Sequence, residues 1–266
     1  MIKVSITGVC GKMGRSILST LLNDNDIELV GATELKGHEL IGTDVGSLVG
    51  STLGVSIADS IEGAAAKSDI IVDFTSPASS ISNAKFAADN SKSMVIGTTG
   101  FDKDQEEELR SLAEGFPCVI SPNMSIGVNV LFEVSKKIAA LLGNDFDVEI
   151  VEAHHRNKVD APSGTALKLG RSVAEGLGID FEKYSRFERH GAIGKRKPDE
   201  IGIQTVRGGD VVGDHTVMFL GQGERIEFTH RAHSRENFSK GVLRAVKWLP
   251  GKSPGIYSMK EVLGIL

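Results

Sequence analysis

The sequence predicts an α/β chain of two parts, on three observations. Short apolar strands alternate with helical segments through the first half. Spaced glycines separate the first strand from the first helix. From Asp147 onward the pattern changes to alternating strands with glycine turns between them. At 266 residues the chain is long for one average domain and comfortable for two small ones.

Residues Ile2–Thr7 alternate and are rich in β-branched types, which predicts a strand. Gly8, Val9, Cys10, Gly11, Lys12, Met13 and Gly14 follow, and residues 15–22 continue as a helix. The spacing G-x-x-G-x-x-G is a variant of the dinucleotide fingerprint G-x-G-x-x-G. A strand, a glycine turn and a helix bring backbone N–H groups and the positive end of a helix to one point, which suits a pyrophosphate. A second strand over 27–33 ends at Glu34, 20 residues past Gly14. An acid at that distance holds the adenosine ribose hydroxyls. Together these elements predict a Rossmann dinucleotide-binding domain. Glu34 repels a 2′-phosphate, which favours NADH; Lys36 offsets that repulsion, so NADPH stays open. Cys10 in this turn is either a thiol of lowered pKa or a small filler.

Residues 68–75 form an apolar run, consistent with a buried parallel strand. Pro77 precedes a helical segment over 79–90, and strands over 94–97 and 117–120 follow. Ligands in a doubly wound sheet lie outside the carboxyl ends of the strands. Phe74 and Thr75, then Gly97, Thr98 and Thr99, then Ser121, Pro122, Asn123 and Met124, are expected to line that edge. Ordinary turns account equally well for any one of these loops, because turns favour the same residue types.

The second half has strands over 148–153, 201–207, 211–220 and 225–229, which predicts an α+β domain with a mixed or antiparallel sheet covered on one face. Helices are predicted at 126–142 and 235–248, the latter stopped by Pro250-Gly251. The expected boundaries are 1–124 for the dinucleotide domain, with 238–266 packing back onto it, and 125–237 for a substrate-binding and oligomerisation domain. The open sheet face predicts self-association.

The chemistry concentrates between Glu152 and Leu167. His154 and His155 are adjacent, and Arg156 and Lys158 add positive charge. Ser163 caps a predicted helix, so the N–H groups of Gly164 and Thr165 point at an anion. This is a cationic pocket on a chain of net charge −5 and a candidate for carboxylate binding. Histidine titrates near neutrality and suits proton transfer. The histidine pair also reads as a polar surface loop; as a metal site it lacks a third ligand at suitable spacing, and no metal is expected. Arg235, in a second basic cluster with His230, Arg231 and His233, is either an anion contact or half of a surface ion pair.

Net acidity without a basic run argues against nucleic-acid binding. No stretch approaches the ~20 apolar residues of a membrane span, and the N-terminus is not a signal peptide. Cys10 and Cys118 form no disulfide or metal pattern, so a reducing cytoplasmic location is expected.

The run from Glu152 to Ala166 closely resembles the signature of the 4-hydroxy-tetrahydrodipicolinate reductase (dihydrodipicolinate reductase) family. The resemblance extends over essentially the whole chain, including the glycine turn, Asp73-Phe74-Thr75, residues 97–100, residues 123–129 and residues 255–259. It implies NAD(P)H-dependent reduction of 4-hydroxy-tetrahydrodipicolinate, via dihydrodipicolinate, to tetrahydrodipicolinate in lysine and diaminopimelate biosynthesis. It implies that His154 and Lys158 are catalytic, and that His155, Ser163, Gly164, Thr165 and Arg235 meet a small dicarboxylate. It implies that Gly8 to Met13, Glu34, Phe74, Gly97 to Thr99 and Ser121 to Met124 meet NADH or NADPH, and that the assembly is a cytoplasmic homotetramer. Many members carry arginine after the ribose-binding acid, where this chain has Leu35. Two rivals stay open: another Rossmann enzyme, such as an aspartate or homoserine dehydrogenase, and a redox-sensing binding protein without turnover.

Overall fold

The structure is a computed structural model that describes residues 1–265. In chain order the strands are β1 (Ile2–Thr7), β2 (Ile27–Thr33), β3 (Ile57–Ala58), β4 (Ile70–Asp73), β5 (Ser93–Ile96), β6 (Pro117–Ile120), β7 (Asp147–His154), β8 (Ser185–Arg186), β9 (Ile201–Arg207), β10 (Gly213–Leu220), β11 (Arg225–Ala232) and β12 (Gly255–Tyr257). The helices are α1 (Lys12–Leu21), α2 (Ile61–Ala64), α3 (Pro77–Asp89), α4 (Lys103–Leu112), α5 (Ile126–Leu142), α6 (Gly164–Leu177), α7 (Phe181–Tyr184), α8 (Glu236–Trp248) and α9 (Met259–Leu263). The chain divides into two compact units: residues 1–126 together with the segment from Glu236 onward, and residues 127–235.

Among the described residues the first unit holds a seven-stranded sheet ordered β12-β6-β5-β4-β1-β2-β3, with parallel pairings throughout. Leaving aside β12, this is the doubly wound order, which reverses between β1 and β4. The strands are buried on both faces, which is why they read as apolar runs. Val72, Val95 and Val119 enter one core, while Ile71, Met94 and Cys118 on the same strands enter the other. The C-terminal segment completes the first core: Val242, Ala245, Val246 and Leu249 pack with Val4, Ile6 and Leu18. The Ser16 and Ser239 hydroxyls meet at 2.6 Å. Strand β12 adds to the edge, pairing Ile256 with Cys118.

The second unit carries a five-stranded mixed sheet ordered β11-β10-β7-β9-β8. Strand β10 is antiparallel to β7 and β11, whereas β7, β9 and β8 run parallel. Helices α5 and α6 cover one face, where Val128, Leu131, Leu169 and Val173 pack with Ile150, Ile203, Val217 and Phe219. The same face turns polar toward one end of the sheet. His215 pairs with His230 on β11 and with Glu152 on β7, and Glu152 pairs with Thr205 on β9. Two residues further along β7, and so on the same face, His154 lies opposite Arg207. On the other face Val151 and Met218 are half-buried and Val206 is 50% exposed.

Most expected elements form near their expected limits, and α5, β6 and β9 form at them. Strand β4 is shorter than the 68–75 run, α6 starts at Gly164, and α8 starts at Glu236, leaving Arg235 outside the helix. The first turn of α8 is therefore acidic, as its dipole favours.

Candidate active site

The first unit supplies the candidate dinucleotide cradle. Gly8 turns the chain at φ +67°, a left-handed conformation that glycine adopts without penalty. A Cβ on Gly14 would lie 2.3 Å from the Gly8 carbonyl oxygen and 2.7 Å from Val9 Cα, so α1 packs against the turn only because position 14 has no side chain. A Cβ on Gly97 would lie 2.0 Å from the Phe74 ring, which fixes how closely the ends of β4 and β5 approach. An open cleft of about 540 Å³ lies at this edge, lined by Gly8, Gly11, Glu34, Leu35, Lys36, Phe74 and Thr75. The Glu34 carboxylate accepts from the Cys10 and Leu35 N–H groups, both at 2.9 Å, and ties the end of β2 to the glycine turn.

The other expected cofactor residues fall into two groups. Lys12 is exposed at the first position of α1, with Met13 half-buried behind it, and Thr99 is exposed beyond β5. Pro122 is also exposed. Val9 and Met124 point into the core instead, so only their backbones are placed to meet a ligand. Thr98 is buried: its hydroxyl donates to Asp73 at 3.2 Å and accepts from the Thr75 N–H at 3.0 Å. The Ser121 hydroxyl donates to the Asn123 carbonyl at 2.7 Å, closing that turn on itself. The Cys10 thiol is pushed up by burial and by Glu34 beside it, which leaves it a filler.

Sequence reasoning missed Asp73. It is fully buried and accepts from the Thr75 hydroxyl (2.7 Å), the Ser80 hydroxyl (3.1 Å) and the Asn83 amide (2.8 Å) as well as from Thr98. It braces the loops after β4 and β5 from below.

The second unit supplies the titratable groups. His154 Nδ1 lies 2.6 Å from Glu152 Oε2. The Glu152 side chain has no exposed surface, and a buried charge needs a paired cation. Arg207 provides it in a two-pronged pair, both contacts at 2.8 Å, and its Nη2 also donates to the Asp160 carbonyl. Burial pushes the Glu152 carboxyl up, but bonds from Arg207, His154 and the Ser163 N–H outweigh it and bring it down to about 2. The ring of His215 meets that of His154 edge-on, with centroids 5.2 Å apart. Burial, aided by charge on His154, holds His215 down at about 3, so it stays neutral at ordinary pH.

Lys158 Nζ contacts Asp160 Oδ1 at 2.8 Å on the loop that follows β7. That bond, and the positive charge of Lys158, keep the Asp160 carboxyl below its usual range. Ser163 caps α6, accepting from the Ala166 N–H at 3.2 Å, and Gly164 and Thr165 form the helix start. The His155 N–H donates to the Val211 carbonyl at 2.8 Å, while its buried Nδ1 has no hydrogen-bond partner among the described residues. Thus His154, Lys158 and Ser163 come together around Glu152, Arg207 and Asp160. Arg235 is exposed, just ahead of α8. Among the described residues no group of three or more His, Cys, Asp or Glu is placed to hold a metal ion.

Glu152, Arg207 and His215 were further residues sequence reasoning gave no role. The signal for Glu152 was its position two residues before His154 in a strand, which puts both on one face.

Both units match known proteins. Residues 2–124 match the family model "Dihydrodipicolinate reductase, N-terminus", and residues 127–263 match "Dihydrodipicolinate reductase, C-terminus". The 4-hydroxy-tetrahydrodipicolinate reductase of Geotalea daltonii is 49% identical over 266 residues, covering all of both chains. That of Pelobacter propionicus is 47% identical over the same full length. Among solved structures, a dipicolinate-bound dihydrodipicolinate reductase from Paenisporosarcina sp. TG-14 superposes with TM-score 0.76 at 29% identity, with complete coverage of both chains. A myo-inositol dehydrogenase from Corynebacterium glutamicum, 11% identical at TM-score 0.60 over 96% of this chain and 90% of its own, shares the fold. Glycine turn, buried Glu152–His154 pair and end-to-end identity agree: this chain belongs to the dihydrodipicolinate reductase family, the 4-hydroxy-tetrahydrodipicolinate reductases.

Proposed function

We propose that this protein reduces 4-hydroxy-tetrahydrodipicolinate, through dihydrodipicolinate, to tetrahydrodipicolinate in lysine and diaminopimelate biosynthesis. The observation that carries the reading is the His154 imidazole backed by a buried carboxylate and accompanied by Lys158 and a capped helix start. The dinucleotide would be held by the backbone of the glycine turn, from Gly8 to Met13, with Glu34 on the adenosine ribose and the loops at Phe74, Gly97 to Thr99 and Ser121 to Met124 beside it. When bound there, a reduced nicotinamide would supply the hydride that the reduction needs.

His154 gives the single proton that, with the hydride, completes the reduction, and Lys158 is an alternative donor of that same proton. The start of α6 at Gly164 and Thr165 receives one carboxylate, since the N-terminal end of a helix carries partial positive charge. Lys158, His155 and Arg235 provide further positive or donor groups for a dicarboxylate. Asp160 holds the Lys158 ammonium until a substrate carboxylate competes for it. Glu34 and Leu35 favour NADH, and Lys36 keeps NADPH acceptable.

The test is oxidation of NADH and of NADPH by the purified protein, with substrate made in place by a synthase from pyruvate and aspartate semialdehyde. Oxidation that depends on the complete mixture supports the reading, and the ratio of the two rates reports what Leu35 and Lys36 do to cofactor choice. Folded protein that binds dinucleotide yet oxidises neither defeats it.

The protein is further proposed to work as a homotetramer in the cytoplasm. The support is the sheet face of the second unit, where Val151, Met218 and Val206 present apolar surface. Both cysteines are free thiols, which suits a reducing compartment. No helix among the described residues is long and apolar enough to cross a membrane. Sedimentation equilibrium at four times the chain mass is the expected result, and Val206→Glu is expected to shift it toward smaller species. A monomer at all concentrations would refute the assembly.

A further inference from the structure

The hydrogen bonds around Glu152 determine more than its charge. Oε1 accepts from Arg207 Nη2 at 2.8 Å, the Ser163 N–H at 3.0 Å and the Thr205 hydroxyl at 3.3 Å. Oε2 accepts from Arg207 Nη1 at 2.8 Å and faces His154 Nδ1 at 2.6 Å. An ionised carboxylate only accepts, so Nδ1 must carry hydrogen whether the imidazole is neutral or charged.

We propose that Glu152 is a positioning residue for proton transfer: it commits Nδ1 of His154 as a permanent donor and so reserves Nε2 as the nitrogen that gives and takes the reacting proton. The inference rests on the proton-donor role given to His154 above. Arg207 is the second part of the device, because a bidentate guanidinium keeps the carboxylate ionised and fixes its plane.

The remaining groups around His154 are consistent with this. From β10, His215 packs against the ring but is neutral. The Ser163 hydroxyl, which accepts from the Ala166 N–H, has one hydrogen to give and lies 3.1 Å from His215 Nε2. His215 spends Nε2 on Ser163 and meets His154 only ring edge to ring, so it offers His154 no positive charge and no hydrogen bond among the described residues. Lys158 and Asp160 on the following loop pair with each other. Glu152 is thus the acceptor bonded to His154, and Arg207 and Lys158 are cations already paired with carboxylates.

Glu152→Gln tests the idea. The amide oxygen keeps the Oε1 position, where three donors converge, which puts the amide nitrogen at the Oε2 position; Arg207 Nη1 loses that acceptor and keeps the Val206 carbonyl at 2.8 Å. The amide nitrogen donates to His154 Nδ1 and forces hydrogen onto Nε2 in the neutral ring. In protein carrying 15N-histidine, with the His154 resonances assigned by their loss in His154→Gln, solid-state 15N NMR at alkaline pH reads the tautomer directly. The expected result is Nδ1–H in the wild type and Nε2–H in Glu152→Gln. Turnover of the dicarboxylate should fall about 10²- to 10⁴-fold, with the Kd for NADH unchanged.

A merely structural role for Glu152 would not invert the tautomer. Nε2–H in the wild type overturns the inference without any variant, even if Glu152→Gln fails to fold. Unchanged turnover in a folded variant overturns it as well. Absence of turnover in the wild type instead defeats the reductase reading, and with it the catalytic half of this inference. An active wild type with Nε2–H defeats the inference alone.

Discussion

Replacing His154 with glutamine is expected to lower kcat by about 10²- to 10⁴-fold, the usual worth of a positioned general acid, while leaving the Kd for dinucleotide unchanged. Glutamine keeps polar atoms near Glu152 but cannot cycle a proton. The proposed dinucleotide cradle draws on residues of the other unit, among them Gly8, Gly14, Glu34 and Phe74. Steady-state kinetics beside a fluorescence titration with NADH separates the two effects. Unchanged kcat would remove His154 from the chemistry. Lys158→Ala should behave differently, raising KM and lowering kcat together, because its ammonium is assigned both a carboxylate and a proton. Loss of NADH affinity alone would place Lys158 elsewhere.

The second large effect is on stability in acid. Burial holds His215 down at about 3, against an ordinary 6.5. Between those values the unfolded chain binds a proton that the folded chain refuses, so stability is full above pH 6.5 and falls as pH drops toward 3. The slope is about 1.4 kcal/mol per pH unit. His230, also lowered by burial, adds in the same direction. Glu152 acts in a lower window: its contribution is full above pH 4.5 and is lost as pH falls toward 2. Urea unfolding should therefore show a loss of roughly 3 kcal/mol between pH 6.5 and 4.5 that is mostly His215. His215→Gln should flatten that segment and leave the steeper fall below it. A wild type equally stable at both pH values would contradict the buried neutral His215.

How much of this was legible in advance depends on whether the signal was local. The glycine turn was legible because its requirement is local: position 14 tolerates no Cβ and position 8 needs a left-handed backbone. The same holds for Ser163, whose capping partner lies three residues away. Strands β3, β8 and β12 went unseen because they span two or three residues, too few to show a period. The support of His154 was half legible. Glu152 lies two positions away on the same strand, but Arg207 arrives through the parallel pairing of β7 with β9. His215 arrives through an antiparallel register. No spacing in the sequence announces either. Cys10 was readable both ways, and burial, together with Glu34 set against the turn, decides for the filler.

The return of the chain to the first unit has a consequence for synthesis. Val242, Ala245, Val246 and Leu249 belong to a core begun by Val4 and Ile6. On the ribosome the opening residues therefore wait, with part of their apolar surface uncovered, until α8 has been made. The second unit is one uninterrupted segment, 127–235, and can close while the first is still incomplete. A nascent chain arrested before α8 emerges should then protect the β7–β11 sheet from protease while leaving β1 and α1 open to it, reversing the amino-to-carboxyl order in which domains usually fold.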